Sequence, residues 1–241
     1  MISDALHRLT KHSAIYALGP FVQKAIGFLL LPFVTAYIGS TANYGVVEMS
    51  ALTIAFGAQL LGINLLHGMT RFYSEYETEA ERGKVVTTCF LLLAATTGTA
   101  LIAAIVFRES GAALLFGSRG TGDALVVVAA ILMLQTLGQV GLRWLQILQR
   151  SVAYGVLTTL KTVFEVGFKV WLMAGLGLTF MGVLYSVLGG EAVVAAGMLV
   201  WIVRKVGFGF SWPTAKRLVR YSYPLILGGI PMFALHQADR W

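Results

Sequence analysis

The chain is poor in charge. Of its 241 residues only 12% are charged, whereas 57% are hydrophobic and the mean hydropathy is +0.78. Soluble globular proteins carry about 25% charged residues, so this scarcity excludes a soluble fold. The apolar residues form runs of about 20, the length that a helix needs to cross a bilayer. The strands of a membrane β-barrel would instead be segments of about 10 residues with alternating polarity.

Cysteine and enzyme motifs are also scarce. Cys89 stands alone, which excludes an internal disulfide and any CxxC metal or redox site, and its apolar surroundings predict a packing role. The sequence contains no GxSxG, GxGxxG, P-loop or HExxH motif, and its four histidines are scattered. We therefore expect a protein that is not an enzyme and that has no metal or cofactor.

Seven apolar segments predict an all-α integral membrane bundle of six complete transmembrane helices plus the start of a seventh. The last segment is cut by the end of the sequence, so we expect the chain to be part of a longer protein. The predicted spans are residues 13–38, 46–67, 85–107, 123–148, 154–176, 180–203 and 221–241.

The basic residues are distributed unevenly between the two sides of these spans. Twelve lie on the side of the N-terminus, and only two, Arg108 and Arg119, lie in the opposite loops. This asymmetry predicts a cytoplasmic N-terminus. It also explains the net charge of +7 without nucleic-acid binding. The twelve are Arg8, Lys11, Arg71, Arg82, Lys84, Arg143, Arg150, Arg204, Lys205, Lys216, Arg217 and Arg220.

The fifth span carries a polar stripe. Thr158, Lys161, Thr162, Glu165 and Lys169 recur at helical spacing and share one face. In a bilayer such a face must turn toward protein or a water-filled cavity. Two interpretations follow: a cavity lining, or a packing contact in which Glu165 pairs with Lys169 while Lys161 extends to the cytoplasmic interface.

Other polar residues within the spans are also candidates for a substrate-binding cavity, because polar groups inside a bilayer are costly. The amides and cation of the fourth span suit sugar hydroxyls or, alternatively, mark a helix end at the interface. Prolines in the first span predict a hinge or a static kink. Arg71 lies at the membrane boundary, where it could meet an anionic headgroup. The further candidates are Gln23, Lys24, Arg71, Gln135, Gln139, Arg143, Glu191, Asp239 and Arg240, with Pro20 and Pro32 as hinges.

Three segments resemble the polysaccharide (O-antigen type) flippases, which share a superfamily with the MATE drug exporters and the lipid II flippases. The first is SAIYALGPFVQKAIGFLLLPFVTAYIGSTANYGVVEM, with its Gly-Pro, its FLLLPFVT run and its loop ending in Tyr44-Gly45. The others are TRFYSEY after the second span and YSYPLILGGIP with ADR in the seventh.

The resemblance implies a two-lobed bundle that moves a polyprenyl-diphosphate-linked oligosaccharide from the cytoplasmic to the outer leaflet by alternating access. Residues 1–210 would be the N-terminal lobe, and residues 211–241 a cytoplasmic linker and the start of a second lobe. The expected location is a bacterial or archaeal cytoplasmic membrane. The expected partners are the lipid-linked oligosaccharide, membrane lipids, a polysaccharide polymerase and glycosyltransferases. Lys24, Lys161, Lys169 and Arg240 would supply cations for the diphosphate, and a proton or sodium gradient would serve as the energy source. The chain alone is not expected to transport.

Two other functions fit the composition. A MATE-type cation-coupled multidrug antiporter needs unpaired carboxylates, for which the sequence offers only Glu191. A membrane scaffold, an inactive fragment or an integral transferase is the other class. A transferase needs an acidic cluster, and the only acidic loop, residues 75–81, lacks DxD-like spacing.

The predicted topology can be tested by cysteine labelling in a variant without Cys89. Single cysteines replacing Gly111 and Thr179 should react with an impermeant reagent from outside the cell, because both loops are expected to be periplasmic or extracellular. A cysteine replacing Glu79 should react only after the membrane is opened, and its labelling in intact cells would contradict the topology.

Overall fold

The computed structural model describes residues 24–238, without the side chains of residues 230, 232–234 and 236–238. Within this range every regular element is helical, and the described residues contain no strand. The helices are α1 Lys24–Ile38, α2 Thr41–Leu61, α3 Ile63–Glu75, α4 Glu79–Val106, α5 Arg108–Phe116, α6 Gly122–Ile147, α7 Ser151–Val170, α8 Phe180–Val206 and α9 Trp212–Ala238. A 3-10 turn, Arg119–Thr121, precedes α6, and a π-helical turn, Trp171–Gly175, follows α7.

Four helical stretches in the described residues are long and apolar enough to cross a membrane. They are Thr41–Glu75, Glu79–Val106, Arg119–Ile147 and Phe180–Val206. The 20-residue helix α7 has the length of a span but carries three charged side chains. The membrane-bundle class agrees with the sequence, whereas the count of six complete spans stays a prediction.

Several boundaries differ from those expected. Residues 68–84, left between the second and third predicted spans, are almost entirely helical, since α3 continues to Glu75 and α4 begins at Glu79, where Thr78 caps the first turn. Helix α9 begins at Trp212, so the residues expected to form a linker are already helical. Two prolines, Pro224 and Pro231, lie inside α9, and Pro32 lies inside α1.

Contacts between connecting segments define two ends of the bundle. At one end Arg217 lies 3.6 Å from Glu75, and the backbone N–H of Ser211 donates to the Thr88 hydroxyl at 3.1 Å. At the other end Arg108 lies 3.8 Å from Asp123 on the next helix. Which end faces the cytoplasm rests on the count of basic residues.

Helices α4, α6 and α8 form the centre of the bundle. The largest buried cluster joins α3, α4, α6, α8 and α9, and Cys89 is fully enclosed in it, in line with the expected packing role. Trp144 of α6 packs against Trp201 of α8 within this region, with the ring centroids 4.3 Å apart and the rings tilted by 41°. Large apolar side chains on the outer faces, such as Phe28, Ile102 and Leu160, are more than half exposed, as expected of surfaces that meet lipid.

Glycines set the distance between α6 and α8. A Cβ atom on Gly138 would lie 3.2 Å from the Val194 side chain, and one on Gly141 would lie 2.5 Å from the Cβ of Met198. Because successive glycines meet successively later residues of α8, the two helices run parallel. Close approach through small residues is the usual way in which membrane helices gain packing energy, since lipid offers apolar side chains no hydrophobic incentive to associate.

This packing predicts opposite effects for two glycine substitutions. Gly141→Ala should destabilise the bundle by about 1–3 kcal/mol, because the added methyl group must displace Met198. Gly98→Ala, where the new methyl group meets nothing within 4 Å, should stabilise it by up to about 1 kcal/mol through helix propensity. Thermal unfolding of both variants in lipid nanodiscs measures the difference, and equal effects would contradict the close approach.

Candidate functional site

An ion triad joins α7 to α8. The Lys161 ammonium donates to Glu191 Oε1 at 2.6 Å and lies 3.4 Å from Glu165 Oε1. All three side chains are enclosed, with 16%, 19% and 5% of the surface of Lys161, Glu165 and Glu191 exposed. One ammonium therefore serves two carboxylates in the interface between two helices.

Local sequence explains how these side chains fit. Glu165 follows Lys161 by four residues, which brings both to one face of α7. Gly190 of α8 leaves the space that the Glu165 carboxylate occupies, and a Cβ atom there would collide with it. The Thr158 and Thr162 hydroxyls lie on the same buried face and donate to carbonyl oxygens one turn back, each at 2.9 Å.

The triad lies far from both ends of its helices. Lys161 is ten residues after Ser151, and Glu191 is eleven residues after Phe180. At 1.5 Å per residue these positions are about 15 Å along helices of a length that crosses about 30 Å of hydrocarbon. The triad therefore occupies the middle of the bundle, where ionised groups are most costly.

The pairing differs from the two interpretations of the polar stripe. Lys161 turns inward to α8 instead of extending to the interface, because two carboxylates attract it there. Glu165 pairs with Lys161 and not with Lys169. Within the described residues, Lys169 forms no ion pair within 4 Å, and its side chain is half-buried one turn beyond Glu165.

A cavity of about 740 Å³ lies between α2, α6, α8 and α9. Its wall is mostly aliphatic, and its polar side chains are the amides of Gln59 and Gln135. Gln135 Oε1 is buried and accepts no hydrogen bond within the described residues. Gln59 lies against Gly229 of α9, where any side chain would collide with its amide. Gln135 was expected in a cavity, whereas Gln59 was not singled out.

The helix that carries Gln59 is interrupted beside the cavity. Gly62 leaves helical geometry with φ −123° and ψ −64°, and a Cβ atom on it would lie 2.8 Å from Thr136 of α6. The buried Asn64 amide donates to the Gln59 carbonyl oxygen across this break at 2.8 Å. The Ser222 hydroxyl of α9 donates to the Asn64 carbonyl oxygen at 3.0 Å. Broken helices at membrane depth commonly mark binding sites in transporters.

Most other predicted site residues lie apart from the triad and the cavity. Lys24 is exposed at the start of α1, Gln139 is exposed on α6, and Arg143 is half-buried near His67 of α3. None of these three side chains lines the cavity. Gln23, Pro20, Asp239 and Arg240 lie outside the described residues.

Arg71 belongs to a second cluster, at the end of the bundle where α3 meets α9. Its guanidinium lies 3.4 Å from Glu75 and 4.9 Å from the centroid of the Tyr221 ring. Arg217 of α9 shares the same Glu75 at 3.6 Å and also stacks on Phe72. Both arginines are more than half exposed, so this cluster presents two cations and one carboxylate to its surroundings.

The site shows no arrangement suited to a metal ion. Within the described residues, no three His, Cys, Asp or Glu side chains converge as a metal site requires.

No family model, curated protein or solved structure matches the chain at a significant level. The flippase resemblance therefore depends on the quoted sequence segments alone.

The triad predicts different effects for two lysines of α7. Lys161→Met should lower stability by about 3 kcal/mol, because it leaves two enclosed carboxylates without their cation. Lys169→Met, the matched control on the same helix, breaks no ion pair of the described residues and should cost about 1 kcal/mol or less. Thermal unfolding in nanodiscs compares them. Similar losses in both variants would show that the triad does not stabilise the α7–α8 contact.

Proposed function

We propose that this chain is the N-terminal lobe of a membrane transporter that moves a polyprenyl-diphosphate-linked oligosaccharide from the cytoplasmic to the outer leaflet by alternating access. The observation that carries this proposal is the 740 Å³ cavity between α2, α6, α8 and α9, with an aliphatic wall and two amides. Its setting between helices, beside an interrupted helix, is typical of transporter binding sites.

The cavity chemistry suits a substrate that is part lipid and part sugar. Aliphatic side chains such as Ile54, Ile131 and Val187 offer an apolar surface to a prenyl chain. Each glutamine amide offers both donors and an acceptor, which matches the hydroxyl groups of a saccharide. Gln59 and Gln135 come from different helices, so a bound sugar could be held from two sides.

The diphosphate requires cations, and these are better supplied at the end of the bundle than in the cavity. None of the described residues that line the cavity is charged, and Lys161 is already engaged by two carboxylates. Arg71 and Arg217 share one carboxylate and retain a net positive charge. In this proposal they attract the diphosphate, which replaces the expected role of Lys161 as a free cation.

The structure gives less support to the alternative functions. A drug antiporter needs an unpaired carboxylate, for which the sequence offered Glu191, but Glu191 forms an ion pair with Lys161 at 2.6 Å. A transferase would need free acidic residues in the loop between α3 and α4. Of the acidic residues there, Glu75 pairs with two arginines, Glu79 with Arg82, and Glu81 with the Thr78 hydroxyl. The exposed Glu77 remains as a single carboxylate, which does not make an acidic cluster.

The membrane would be the cytoplasmic membrane of a bacterium or archaeon with the N-terminus inside, in keeping with the distribution of basic residues. Glycosyltransferases would make the lipid-linked substrate on the inner leaflet. A polysaccharide polymerase on the other side would consume it.

Binding of a polyprenyl-diphosphate-linked oligosaccharide to the purified chain in nanodiscs tests the proposal without requiring transport. Ala55→Trp should abolish binding, because Ala55 lines the cavity and the indole ring would fill it. Ala196→Trp, on the exposed face of α8, is the matched control and should bind like the wild type. Gln135→Leu should bind about fivefold more weakly, the cost of one hydrogen bond of about 1 kcal/mol.

The outcome also separates the alternatives. Failure of the wild-type chain to bind the lipid-linked saccharide, or equal binding by the Ala55 and Ala196 variants, would overturn the cavity assignment. Binding of a cationic dye in place of the saccharide would favour a drug antiporter. Replacing Arg71 and Arg217 together by glutamine should reduce both the affinity and its dependence on salt, since screening acts on exposed charges.

A further inference from the structure

The ion triad contains one more negative charge than positive charge. Two carboxylates, Glu165 and Glu191, contact a single ammonium, that of Lys161, in the middle of a membrane bundle. A net charge enclosed at this depth is strongly unfavourable, because the surroundings cannot solvate it as water does. The arrangement is neutral when one of the two carboxylates holds a proton.

We infer that the triad is a proton-binding site and that Glu165 is the carboxylate that takes up and releases the proton. Glu191 is the more deeply buried of the two and receives the short 2.6 Å hydrogen bond from Lys161, which stabilises its ionised form. Glu165 Oε1 lies farther from the ammonium, at 3.4 Å, and accepts no hydrogen bond within the described residues. The proton therefore resides on Glu165.

The helices packed around Glu165 bring no second cation into contact with its carboxylate. On α7 the charged neighbours are Lys161 and Lys169. Lys169, one turn beyond Glu165, attracts the Glu165 carboxylate electrostatically but forms no ion pair with it within 4 Å. On α8 the only facing charge is Glu191, because its neighbour Gly190 has no side chain. Helix α6 presents Leu142 and Leu145 to α7, while its nearest charge, Arg143, lies by His67 of α3.

A proton suits the site better than a sodium ion. A hard metal cation needs several oxygen ligands at once, typically six or more for calcium and magnesium. At Glu165 the Lys161 ammonium already lies 3.4 Å from the carboxylate and would repel a metal cation. No described cluster of acidic side chains is large enough to hold a metal ion. A single proton needs only one carboxylate oxygen.

The triad lies close to the cavity along α8. Glu191 follows Val187 by one turn of α8, and Val187 lines the cavity. The site thus lies about 6 Å along the helix from the cavity wall. This inference concerns proton binding and does not depend on the saccharide as substrate.

Labelling with dicyclohexylcarbodiimide tests the inference directly. This apolar reagent enters the membrane and modifies carboxyl groups that carry a proton, so a mass increase mapped to one residue reports its protonation. In the folded wild-type chain in nanodiscs, Glu165 should be labelled at mildly acidic pH and progressively less as the pH rises. Glu109, which is 64% exposed beside Arg108, should not be labelled, and Glu109→Gln is the matched control variant.

The decisive variant is Glu191→Gln, which leaves Glu165 in place. It removes the excess negative charge, so Glu165 should then pair one-to-one with Lys161 as an ionised group and lose its labelling at least tenfold. Glu165→Gln should likewise leave Glu191 unlabelled. Absence of labelling at Glu165 in the wild type, labelling without pH dependence, or undiminished labelling of Glu165 in Glu191→Gln would each overturn the inference. Gel filtration and thermal unfolding of each variant confirm that a loss of labelling is not a loss of fold.

Discussion

The Lys161 ammonium, shared between carboxylates of two helices, is the interaction on which the arrangement of this bundle depends. Helix α7 packs chiefly on α8, and much of its remaining surface is apolar and faces outward. In a membrane, apolar contacts alone hold such a helix weakly, because lipid chains satisfy the same side chains equally well. An ion triad cannot be transferred to lipid at comparable cost, so it fixes both the position and the rotation of α7.

Glycines allow the helices around the triad to pack closely. Gly138 and Gly141 allow α6 to approach α8, and Gly190 allows the Glu165 carboxylate to lie against α8. Gly62 has a different role, since it breaks the helix between α2 and α3 at the point where the backbone lies close to Thr136 of α6. Glycine thus allows α6 and α8 to pack closely at one place, and at another it allows a helix break with polar groups beside the cavity.

The sequence predicted the helical membrane class and the enclosed face of α7 because both depend on local patterns of polarity. Runs of apolar residues mark helices, and the spacing of Lys161 and Glu165 marks a common face. The partner of Lys161 could not be predicted in the same way. Glu191 lies 30 residues farther along the chain, and its position opposite Lys161 depends on the rotation and register of two packed helices.

The cavity also depends on helix packing that local sequence patterns do not reveal. Gln135 stood out because other polar residues follow it at helical spacing, whereas Gln59 is an isolated amide within a long apolar run. A signal for Gln59 did exist: Gly62 and Asn64 follow it closely, and a glycine with flanking amides can mark a helix break. That signal gains meaning only when α6 is known to pack at the break.

The charges of the triad lie outside the cavity, in the interface between α7 and α8, where a change in protonation can alter helix packing. With both carboxylates ionised, Lys161 holds α7 to α8 through Glu191 while Glu165 lies over Gly190. A proton on Glu165 removes its attraction to the ammonium and leaves the Lys161–Glu191 pair intact. The Lys161 ammonium would then be held by Glu191 of α8 alone, at a point one helical turn from the cavity wall. A membrane interface with two discrete charge states of this kind is a bistable element, and a ligand in the cavity can bias it only by binding one state more tightly than the other.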